Sequence, residues 1–537
     1  MSDHEVLVVG AGPVGLTAAV ELRRRGISCR IVDALPESVQ YAKAVGIQPR
    51  TLEVFENMGV LAPVLNAAIA LRGQIVYVNG VEQGQIVFVV PEDVPYGFLG
   101  LPQYSTERIL TERLHVLGCT VERETRLVSF VQDDDGVTAT LAGPSGEETV
   151  RASYIVGCDG AHSTVRRTLG LSFEGAAFAE QYMLGDVEVD WNLPRGWAIR
   201  SMHVTDGDTD DVLVCIPLPG RNRYRMSMLV PDDLATGPVS ADVVQHGFEG
   251  DRKPELHHIQ AVLDRLSPEP TRASSLRWSS VFRISHRIVD SYGRGRAFVA
   301  GDAAHIHPPT GAQGMNTGIQ DAHNLAWKLA LAVQGVAAEG LTETYDTERR
   351  PVGEEVVDRT VRDAREGIGA GETDPDYVVR REAQLLIDYA GSSLTGGERD
   401  GSGLAAGARA PDARGLTRDA VSFPVRVFSL LAGTNHTLLL YAHATPSVED
   451  AELLETLAAT AEAATHGRLT TYLIAAPDAD VDATTLPVVR DTERQFAHAY
   501  GADGPGMFVI RPDGYLGYRR DAFDQAGIAA YFTSTFG

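Results

Sequence analysis

The sequence predicts an α/β protein whose first domain is interrupted by an antiparallel sheet and followed by a smaller α/β domain. Three observations lead to this prediction: a strand–turn–helix–strand pattern at the start, pairs of hairpin-like strands further on, and a loop-like stretch before the last part of the chain. With 537 residues, the chain is too long for one ordinary core and suits two or three domains.

The chain begins with a βαβ pattern. Glu5–Val9 is an apolar run that stops at Gly10, and Leu16–Arg25 has apolar residues at helical spacing. Ser28–Val32 is a second strand-like run that ends at Asp33. This order predicts a strand, a tight turn, a helix and a parallel strand.

Two later regions carry antiparallel signals. Residues 74–80 and 84–90 resemble the strands of one hairpin, and Val212–Leu218 with Tyr224–Val230 resemble another, turned at Pro219–Asn222. Such hairpins within an α/β protein indicate a second layer inserted into the first domain rather than a separate tandem domain.

The C-terminal part begins after a predicted linker, Gly391–Gly415, which is rich in small and polar residues. The pattern then predicts a small α/β domain with a closing hairpin turned at Arg511–Gly514: strand Thr437–Ala442, helix Leu453–Ala464, strand Thr470–Ala476, helix Thr492–Tyr500, and hairpin strands Met507–Ile510 and Tyr515–Tyr518.

Charge and cysteine usage exclude several classes of function. The formal net charge of −25 argues against nucleic acid and anionic membranes as partners. The four cysteines form no C-x-x-C pair, which indicates a reducing, cytoplasmic setting. The first residues, Met1–Glu5, are acidic where a signal peptide would be basic, and the apolar stretch Val6–Val20 is too short to span a membrane.

The first motif that carries chemistry is Gly10-Ala11-Gly12-Pro13-Val14-Gly15, which matches G-x-G-x-x-G between a strand and a helix. In such loops the first glycine permits the turn, the second lets the backbone approach a pyrophosphate, and the third lets helix and strand pack. Asp33 at the end of the next strand can accept hydrogen bonds from a ribose diol. The pattern does not distinguish FAD from NAD, and a glycine-rich turn without a ligand is the alternative.

Two more apolar strands end in an acid with small neighbours. Tyr154–Arg167 contains Asp159-Gly160, and Arg296–His305 contains Gly301-Asp302. Both carboxylates are therefore expected at the C-terminal ends of strands, where α/β sheets bind ligands. Taken singly, each could equally be a turn former or a helix N-cap.

The three segments together resemble the fingerprints of the FAD-dependent aromatic hydroxylases, the single-component class A flavoprotein monooxygenases. The resemblance implies FAD as cofactor and NADPH or NADH as a transient electron donor, since a second strand–G-x-G-x-x-G–helix unit is absent from the sequence. It implies that Asp159, Gly160, Ser163 and Arg166 serve FAD and the nicotinamide, and that Asp302 holds the ribityl chain. It further implies reaction of reduced FAD with O₂ to a 4a-hydroperoxide that hydroxylates an aromatic carbon.

The segment His307–Asn316 is a proline- and glycine-rich loop that precedes a helix. Free N–H groups at that helix start would stabilise negative charge on a reduced flavin; an ordinary loop that caps a core helix is the alternative. The residues expected to contact the cofactor are Gly10, Gly12, Pro13, Val14, Gly15, Asp33, Ala34, Lys43, Val45, Gln103, Asp159, Gly160, Gly301, Asp302, Pro308, Gly311, Gly314, Met315 and Asn316.

Some of these assignments depend on the resemblance alone. Gln103 matches a glutamine that contacts the cofactor in relatives, and Lys43 stands where relatives usually have arginine near the FAD phosphates or ribose. Val45 stands where phenol hydroxylases have an aspartate that assists deprotonation, whereas the hydroxylases of angucyclines and anthracyclines have an aliphatic residue there. This favours a polycyclic aromatic polyketide as substrate, although Val45 could also only pack the following helix.

No catalytic acid or base is predicted. The weak substrate-pocket candidates are Tyr224, Arg225, His203, Tyr96 and Arg283, and each could equally be a residue on a sheet surface. No spacing typical of metal ligands is found, because His257 and His258 are adjacent.

The predicted architecture is thus a Rossmann-like FAD-binding domain (residues 1–73, 100–178 and 283–400), an inserted antiparallel-sheet substrate domain (74–99 and 179–282) and a C-terminal domain (405–537). The last resembles the thioredoxin-like tail of phenol and polyketide hydroxylases but contains no cysteine, so a packing or homodimer-stabilising role is expected. The expected partners are a small aromatic substrate and O₂. A Baeyer–Villiger oxygenase, a hydroxylase of simple phenols and a flavin redox sensor are the alternatives.

Overall fold

The structure is a computed structural model, and it describes residues 4–40, 42–235, 237, 244, 247–249, 253–369, 371–397 and 403–537. The acidic start at residues 1–3 and residues 398–402 of the predicted linker lie outside the described residues. The same holds for residues 236, 238–243, 245–246 and 250–252 of the predicted substrate domain.

The first part of the chain alternates strands and helices. In chain order its elements are β1 (His4–Val9), α1 (Pro13–Arg24), β2 (Cys29–Val32), β3 (Gly46–Ile47), α2 (Pro49–Met58), α3 (Leu61–Ala67), β4 (Ile69–Ala70), β5 (Gly73–Val78), β6 (Val81–Val87), β7 (Leu99–Gly100), α4 (Gln103–Val116), β8 (Val121–Glu122), β9 (Arg126–Asp133), β10 (Gly136–Gly143), β11 (Gly146–Gly157) and α5 (Thr164–Thr168).

The middle part is mainly long strands followed by long helices. Its elements are β12 (Phe173–Val189), β13 (Trp197–Thr205), β14 (Asp208–Pro217), β15 (Arg223–Leu229), β16 (Gly247–Glu249), α6 (Leu256–Leu266), β17 (Ala273–Val289), β18 (Gly293–Arg294), β19 (Ala297–Val299), β20 (His305–Ile306), α7 (Gly314–Val333), α8 (Thr344–Glu366) and α9 (Pro375–Glu382). Single-turn 3₁₀ helices lie at Gly301–Ala303 and Thr310–Ala312.

The last part is a small α/β region. Its elements are β21 (Gly396–Gly397), β22 (Leu416–Thr417), α10 (Val427–Leu430), β23 (His436–Ala442), α11 (Val448–Ala464), β24 (Leu469–Ala475), β25 (Val488–Asp491), α12 (Gln495–Tyr500), β26 (Gly506–Ile510), β27 (Leu516–Arg520) and α13 (Gln525–Phe532).

The first sheet contains the predicted βαβ unit. It has eight strands with the path β18-β19-β11-β1-β2-β8, and β10 and β9 extend from β11. Strand β1 is parallel to both β2 and β11, and β11 is parallel to β19. Val6, Leu7 and Val8 are each at most 1% exposed, as expected for a parallel strand that is covered on both faces.

The second sheet contains the predicted hairpins. In the described part of the chain, nine strands follow the path β16-β17-β12-β15-β14-β13-β5-β6, with β20 on β17. Among these strands β13 and β5 are a parallel pair, and the other pairs are antiparallel. Helix α6 packs on one face through Ile259, Val262 and Leu263. The boundaries placed at residues 178/179 and 282/283 fall inside β12 and β17, so continuous strands cross them.

The third sheet is C-terminal, with the path β21-β27-β26-β23-β24-β25-β22. All the elements predicted for this region are present within a few residues, whereas β22, β25, α10 and α13 were not predicted. Gly396–Gly397 of the predicted linker pairs in parallel with β27, so part of that linker belongs to this sheet.

A buried cluster of charges joins the C-terminal region to helices α7 and α8. Glu348 accepts hydrogen bonds from Lys328 Nζ (2.7 Å) and from Arg511 (2.7 and 2.8 Å), and Arg511 also donates to Asp513 at 2.6 Å. All four side chains are at most 2% exposed. Because an uncompensated buried charge is costly, each group depends on its partners.

Candidate functional site

The glycine loop after β1 has the geometry that its sequence predicts. Gly10 has a φ of +98°, and a Cβ there would lie 2.3 Å from the carbonyl oxygen of Cys158. A Cβ at Gly15 would lie 1.9 Å from the oxygen of Gly10, whereas one at Gly12 would have no described atom within 4 Å. The loop is therefore closed towards the sheet and open at Gly12, where a phosphate could approach.

Helix α1 begins directly after this loop. Pro13 occupies its first turn, and no side chain caps its N-terminus. The first N–H groups of the helix and its positive dipole end are therefore available to an anion. Val14, in the same turn, packs against Gly301 of the third motif: a Cβ at Gly301 would lie 2.8 Å from Val14 Cγ2.

Asp33 lies at the end of β2 and holds the turn beside it. Its Oδ2 accepts the N–H of Ala11 at 2.7 Å, and its Oδ1 accepts the N–H of Leu35 at 2.8 Å, beyond Ala34. Arg123 lies 3.7 Å from the same carboxylate. The carboxylate is thus fixed next to the glycine loop, where it retains acceptor capacity for a ribose diol.

Asp159 caps the short helix α5. It accepts hydrogen bonds from Ser163 Oγ at 2.5 Å and from the N–H of Thr164 at 2.6 Å. Burial raises the pKa of Asp159, and these hydrogen bonds oppose that shift. Gly160 has a φ of +76° and open space where a Cβ would be, so its surface can approach a ligand.

Arg166 connects the second motif to the third. Its guanidinium donates to the carbonyl oxygens of Ala161 (2.6 Å) and Ala303 (3.0 Å), and it lies 3.8 Å from the ring centroid of Phe173. Ala303 directly follows Asp302. Burial lowers the pKa of Arg166 to about 10, which still leaves it charged near neutral pH, and its contacts fix the spacing of the two strand ends.

Asp302 and Lys43 form an ion pair across the site. Lys43 Nζ lies 3.0 Å from Asp302 Oδ2, and the two side chains are 30% and 37% exposed. Asp302 belongs to the single-turn helix after β19, where Gly301 has a φ of +59°. The sequence predicts that Lys43 lies near the FAD phosphates or ribose, and the structure brings it to the acid predicted for the ribityl chain.

A buried trio beneath this turn was not predicted. Asp321 accepts a hydrogen bond from Arg349 Nε at 2.8 Å, lies 2.7 Å from His305 Nε2, and accepts the N–H of Gly301 at 3.2 Å. Burial opposes ionisation of Asp321, but Arg349 and His305 lower its pKa overall. The one hint of this trio in the sequence is the charged Asp321 inside the apolar helix α7. Its partners lie far from it in the sequence, so the pattern does not identify them.

The loop before α7 is held by side-chain hydrogen bonds. Gly311 has a φ of +68°, and its carbonyl accepts from Gln48 Nε2 at 2.6 Å. Asn316 Nδ2 donates to the oxygens of Gly46 (2.9 Å) and Ala312 (2.7 Å), and its Oδ1 accepts the N–H of Gln48 at 3.0 Å. The Asn316 side chain is therefore engaged by the protein, so a cofactor would meet the backbone here.

Helix α7 starts at Gly314 and has no side-chain cap. The early N–H groups at Gly314, Met315 and Asn316 can therefore face an anionic ligand, as at α1. His307, the first residue of the loop, is buried. Burial lowers the pKa of its imidazole to about 4. Its imidazole is neutral at pH 7 and adds no positive charge to this loop.

The segment around Lys43 is positioned by helix α4. The N–H of Gln103 donates to the oxygen of Ala44 at 2.9 Å, and Gln103 Nε2 donates to Glu107 at 2.9 Å. Burial raises the pKa of Glu107. The Val45 side chain is 1% exposed and contacts Ala42 and Leu218, so it joins this segment to the second sheet.

The weak substrate-pocket candidates lie in different places. His203 is half exposed and lies 2.7 Å from Asp210, whereas Tyr96 donates to Glu56 at 2.5 Å beside Arg426 of the C-terminal region. Tyr224 packs edge-to-face on Trp191, in the cluster that contains α6. Arg283 donates to the oxygen of Gly237 at 3.1 Å.

Arg225 is the candidate that faces the predicted cofactor segments. Tyr224, Met226 and Met228 of β15 pack towards α6, so the alternating residues Arg223 and Arg225 lie on the other face. On that face Arg223 donates to Tyr104 Oη at 2.9 Å, next to Gln103. The structure therefore separates Arg225 from Tyr96, His203 and Tyr224.

A cavity of about 540 Å³ lies elsewhere, between α8 and residues 377–392. Pro351, Arg359 and Tyr389 are among its lining residues, which include none of the predicted cofactor contacts. Gln384 on its wall donates to Gln313 at 2.8 Å, so the cavity borders the loop before α7 from outside.

Two features are absent from the described part of the chain. Among those residues, no helix is long and apolar enough to cross a membrane. Within the same residues, no group of three or more His, Cys, Asp or Glu side chains is arranged to hold a metal ion.

Comparison with known proteins identifies the family. Residues 3–360 match the family model described as FAD binding domain. A 6-methylpretetramide 4-monooxygenase from Streptomyces rimosus is 32% identical and covers 95% of this chain and 90% of its own. A pentachlorophenol 4-monooxygenase from Sphingobium chlorophenolicum is 30% identical and covers 98% of this chain and 95% of its own.

A solved structure agrees with these relatives. The ternary complex of aklavinone-11 hydroxylase with FAD and aklavinone has a TM-score of 0.79 and 26% identity, and covers 99% of both chains. The fold and the three strand-end loops thus define an FAD-binding α/β protein. More closely, the chain belongs to the class A FAD-dependent aromatic monooxygenases, which confirms the family that the sequence motifs indicated.

Proposed function

We propose that this monooxygenase consumes NADPH, or NADH, and hydroxylates a polycyclic aromatic substrate of the polyketide type. In the balanced reaction, substrate, O₂, NADPH and a proton give hydroxylated product, NADP⁺ and water. The observation that carries the proposal is that the three motif loops meet at the C-terminal ends of the adjacent parallel strands β1, β11 and β19. We also propose a thioredoxin-like identity for the tail, the domain division predicted from the sequence, a homodimer and a cytoplasmic location.

The described residues fit FAD. The open side of Gly12 and the uncapped start of α1 would hold the pyrophosphate, and Asp33 the ribose diol. Asp302 would accept ribityl hydroxyls, and the uncapped start of α7 would face the flavin ring. When bound, FAD supplies electron transfer from the nicotinamide to O₂ and delivery of one oxygen atom to the ring.

The second sheet offers an apolar surface for a flat substrate. Leu184, Phe282 and Ile284 form a buried cluster, and Phe178, Tyr182 and Trp278 pack against it. Burying aromatic area contributes roughly 25 cal/mol per Å², so shape can supply much of the affinity. The same surface keeps water away from the reacting atoms.

Two considerations favour a multi-ring substrate over a simple phenol. Relatives act on 6-methylpretetramide and aklavinone. Val45 stands where phenol hydroxylases have an aspartate that assists deprotonation, and a valine cannot accept a proton. The pentachlorophenol 4-monooxygenase relative favours the simple phenol as second candidate. A Baeyer–Villiger reaction is the remaining enzymatic alternative, and a redox sensor the non-enzymatic one.

The experiment is steady-state NADPH oxidation with a matched panel of tetracyclic polyketides, anthraquinones, simple phenols and hydroxybenzoates. Product mass and NMR are measured for each compound, and NADH is compared with NADPH. We expect coupled hydroxylation of polycyclic compounds, with a new C–OH rather than a lactone or ester. Good coupling with simple phenols and no binding of tetracycles would contradict the substrate class, while a lactone or ester product would establish the Baeyer–Villiger alternative.

A further inference from the structure

The cofactor-facing side of the second sheet contains an arginine without a partner. Arg225 is 7% exposed, and its Nε is buried without a hydrogen bond. Within the described residues its guanidinium makes no hydrogen bond or ion pair. Buried charges are normally paired, so an arginine kept in this position indicates a ligand that supplies the missing partner.

The neighbouring carboxylate does not provide that partner. Asp186 lies opposite Arg225 in the pairing of β12 and β15, but Arg223 engages both carboxylate oxygens of Asp186. The Nε of Arg223 donates to Oδ1 at 2.7 Å, and its Nη2 donates to Oδ2. Burial is the main influence on the Arg225 pKa and lowers it to about 10. The guanidinium is therefore charged at pH 7 and lacks a carboxylate.

A second arginine strengthens the positive character of this face. Arg200 on β13 pairs with Val214, which pairs with Ser227 two residues from Arg225. Because Cys215 and Met226 pack towards α6, the alternation places Arg200 on the same side as Arg225. The Arg200 Nε is likewise buried without a hydrogen bond.

The position of Arg225 relates it to the cofactor segments. Ile216 lies opposite Arg225 on β14 and packs against the cluster of Ala42, Val45 and Leu218. Ala42 and Val45 flank Lys43, the partner of Asp302. On its other side, Leu184 of the apolar cluster lies two residue pairs along β12, opposite Ser227. Arg225 thus stands between the flavin-side segments and the apolar surface.

We propose that Arg225 binds an ionised oxygen of the aromatic substrate and so selects substrates with an acidic phenol or a carboxylate on a fused ring system. This inference rests on the proposed function. An arginine beside a phenol favours the ionised form, and the phenolate is the more electron-rich ring for attack by electrophilic oxygen. Arg225 would lower the pKa of the phenol, so that the phenolic proton is released to solvent and the substrate is bound as the phenolate.

The test uses holoenzyme and three probes: 2-hydroxyanthraquinone, 2-methoxyanthraquinone and anthraquinone-2-carboxylate. Binding is measured by titration for the wild type and for Arg225→Met, which keeps an unbranched, largely apolar stem and removes the guanidinium and its charge. Arg277→Gln is the matched control, since Arg277 lies on the same sheet, is 47% exposed and, within the described residues, forms an ion pair with Glu188 at 2.8 Å. FAD affinity and melting temperature are measured for every variant.

In the wild type we expect an ionisable probe to bind at least about tenfold more tightly than the methoxy probe, because a charge-assisted contact is lost in the latter. Arg225→Met should reduce this preference to about twofold or less and leave FAD affinity unchanged. The melting temperature of the unliganded variant should not fall, because no internal partner is lost. A preference for the hydroxy or the carboxylate probe identifies the source of the anion.

The absorbance of the hydroxy probe gives a second readout, since ionisation shifts its band. Bound to the wild type it should ionise at lower pH than in water, and this shift should disappear in Arg225→Met. The other charged groups on this face, Arg200 and the Arg223–Asp186 pair, are unchanged in that variant.

Three results would overturn the inference. The first is equal binding of methoxy and ionisable probes to the wild type, which leaves the proposed function standing. The second is a large loss of FAD affinity or of thermal stability in Arg225→Met, which would make Arg225 a cofactor or structural residue. The third is failure of every probe to bind, which would refute the polycyclic substrate class together with this inference.

Discussion

Replacing Asp302 by alanine tests the cofactor site most closely. The Asp302 carboxylate lies at the end of β19, in a turn fixed by Gly301 and the buried trio around Asp321. Lys43 Nζ lies 3.0 Å from its Oδ2. The variant removes a charged acceptor that we assign to the ribityl hydroxyls, but the buried supports of the turn stay in place.

The expected magnitudes separate a cofactor role from a structural one. A hydrogen bond to a charged group contributes roughly 1.5–3 kcal/mol, so FAD affinity should fall about ten- to a hundredfold. The ion pair with Lys43 is about a third exposed, and such pairs contribute about 0–1 kcal/mol. The stability of the apoprotein should therefore change little.

The assay is titration of apoprotein with FAD, followed by flavin fluorescence, together with thermal unfolding. Glu112→Ala is the control, because it removes an exposed ion pair with Arg108 (2.6 Å) on α4 away from the motif loops. FAD affinity equal to that of the wild type in Asp302→Ala would refute the assignment. A large loss of apoprotein stability would make Asp302 a turn residue.

Three other predictions concern the C-terminal region. Arg511→Leu leaves Asp513 and part of Glu348 without their buried partner, so the free energy of unfolding measured by chemical denaturation should fall by about 3–5 kcal/mol. A chain that ends at Gly403 should also lose stability, while any folded fraction retains FAD. A truncated chain that is equally stable but unable to reduce FAD would contradict this prediction. Burial lowers the pKa of His436 to about 3, below its usual 6.5. As the pH falls below 6.5, the unfolded chain therefore binds a proton at His436 that the folded protein does not, and the free energy of unfolding decreases. His436→Phe should reduce the stability difference between pH 7 and pH 5 by about 2 kcal/mol, and an unchanged difference would refute the buried neutral imidazole.

The parts of the fold that the sequence predicted depend on local constraints. The glycine loop is one example: Gly10 needs a positive φ and Gly15 needs contact with Gly10, and both demands fall within six residues. The hairpin strands were recognisable because alternation and turn residues are also local signals.

The parts that could not be predicted depend on distant partners. Asp321 is stabilised by Arg349, 28 positions away, and no pattern in either helix links the two. Lys43 and Asp302 are 259 positions apart. Tyr224 and Arg225 are adjacent, and only the packing of α6 decides which of them faces the cofactor segments.

The most direct test of the central claim is turnover under isotopically labelled O₂ with a tetracyclic aromatic polyketide, FAD and NADPH. The reaction balance predicts a product that carries one labelled oxygen atom as a new aromatic hydroxyl, with one NADPH consumed for each product molecule. The same reaction with labelled water and ordinary O₂ should give an unlabelled hydroxyl. NADPH oxidation without labelled product, for every polycyclic and simple phenol in the panel, would contradict the account.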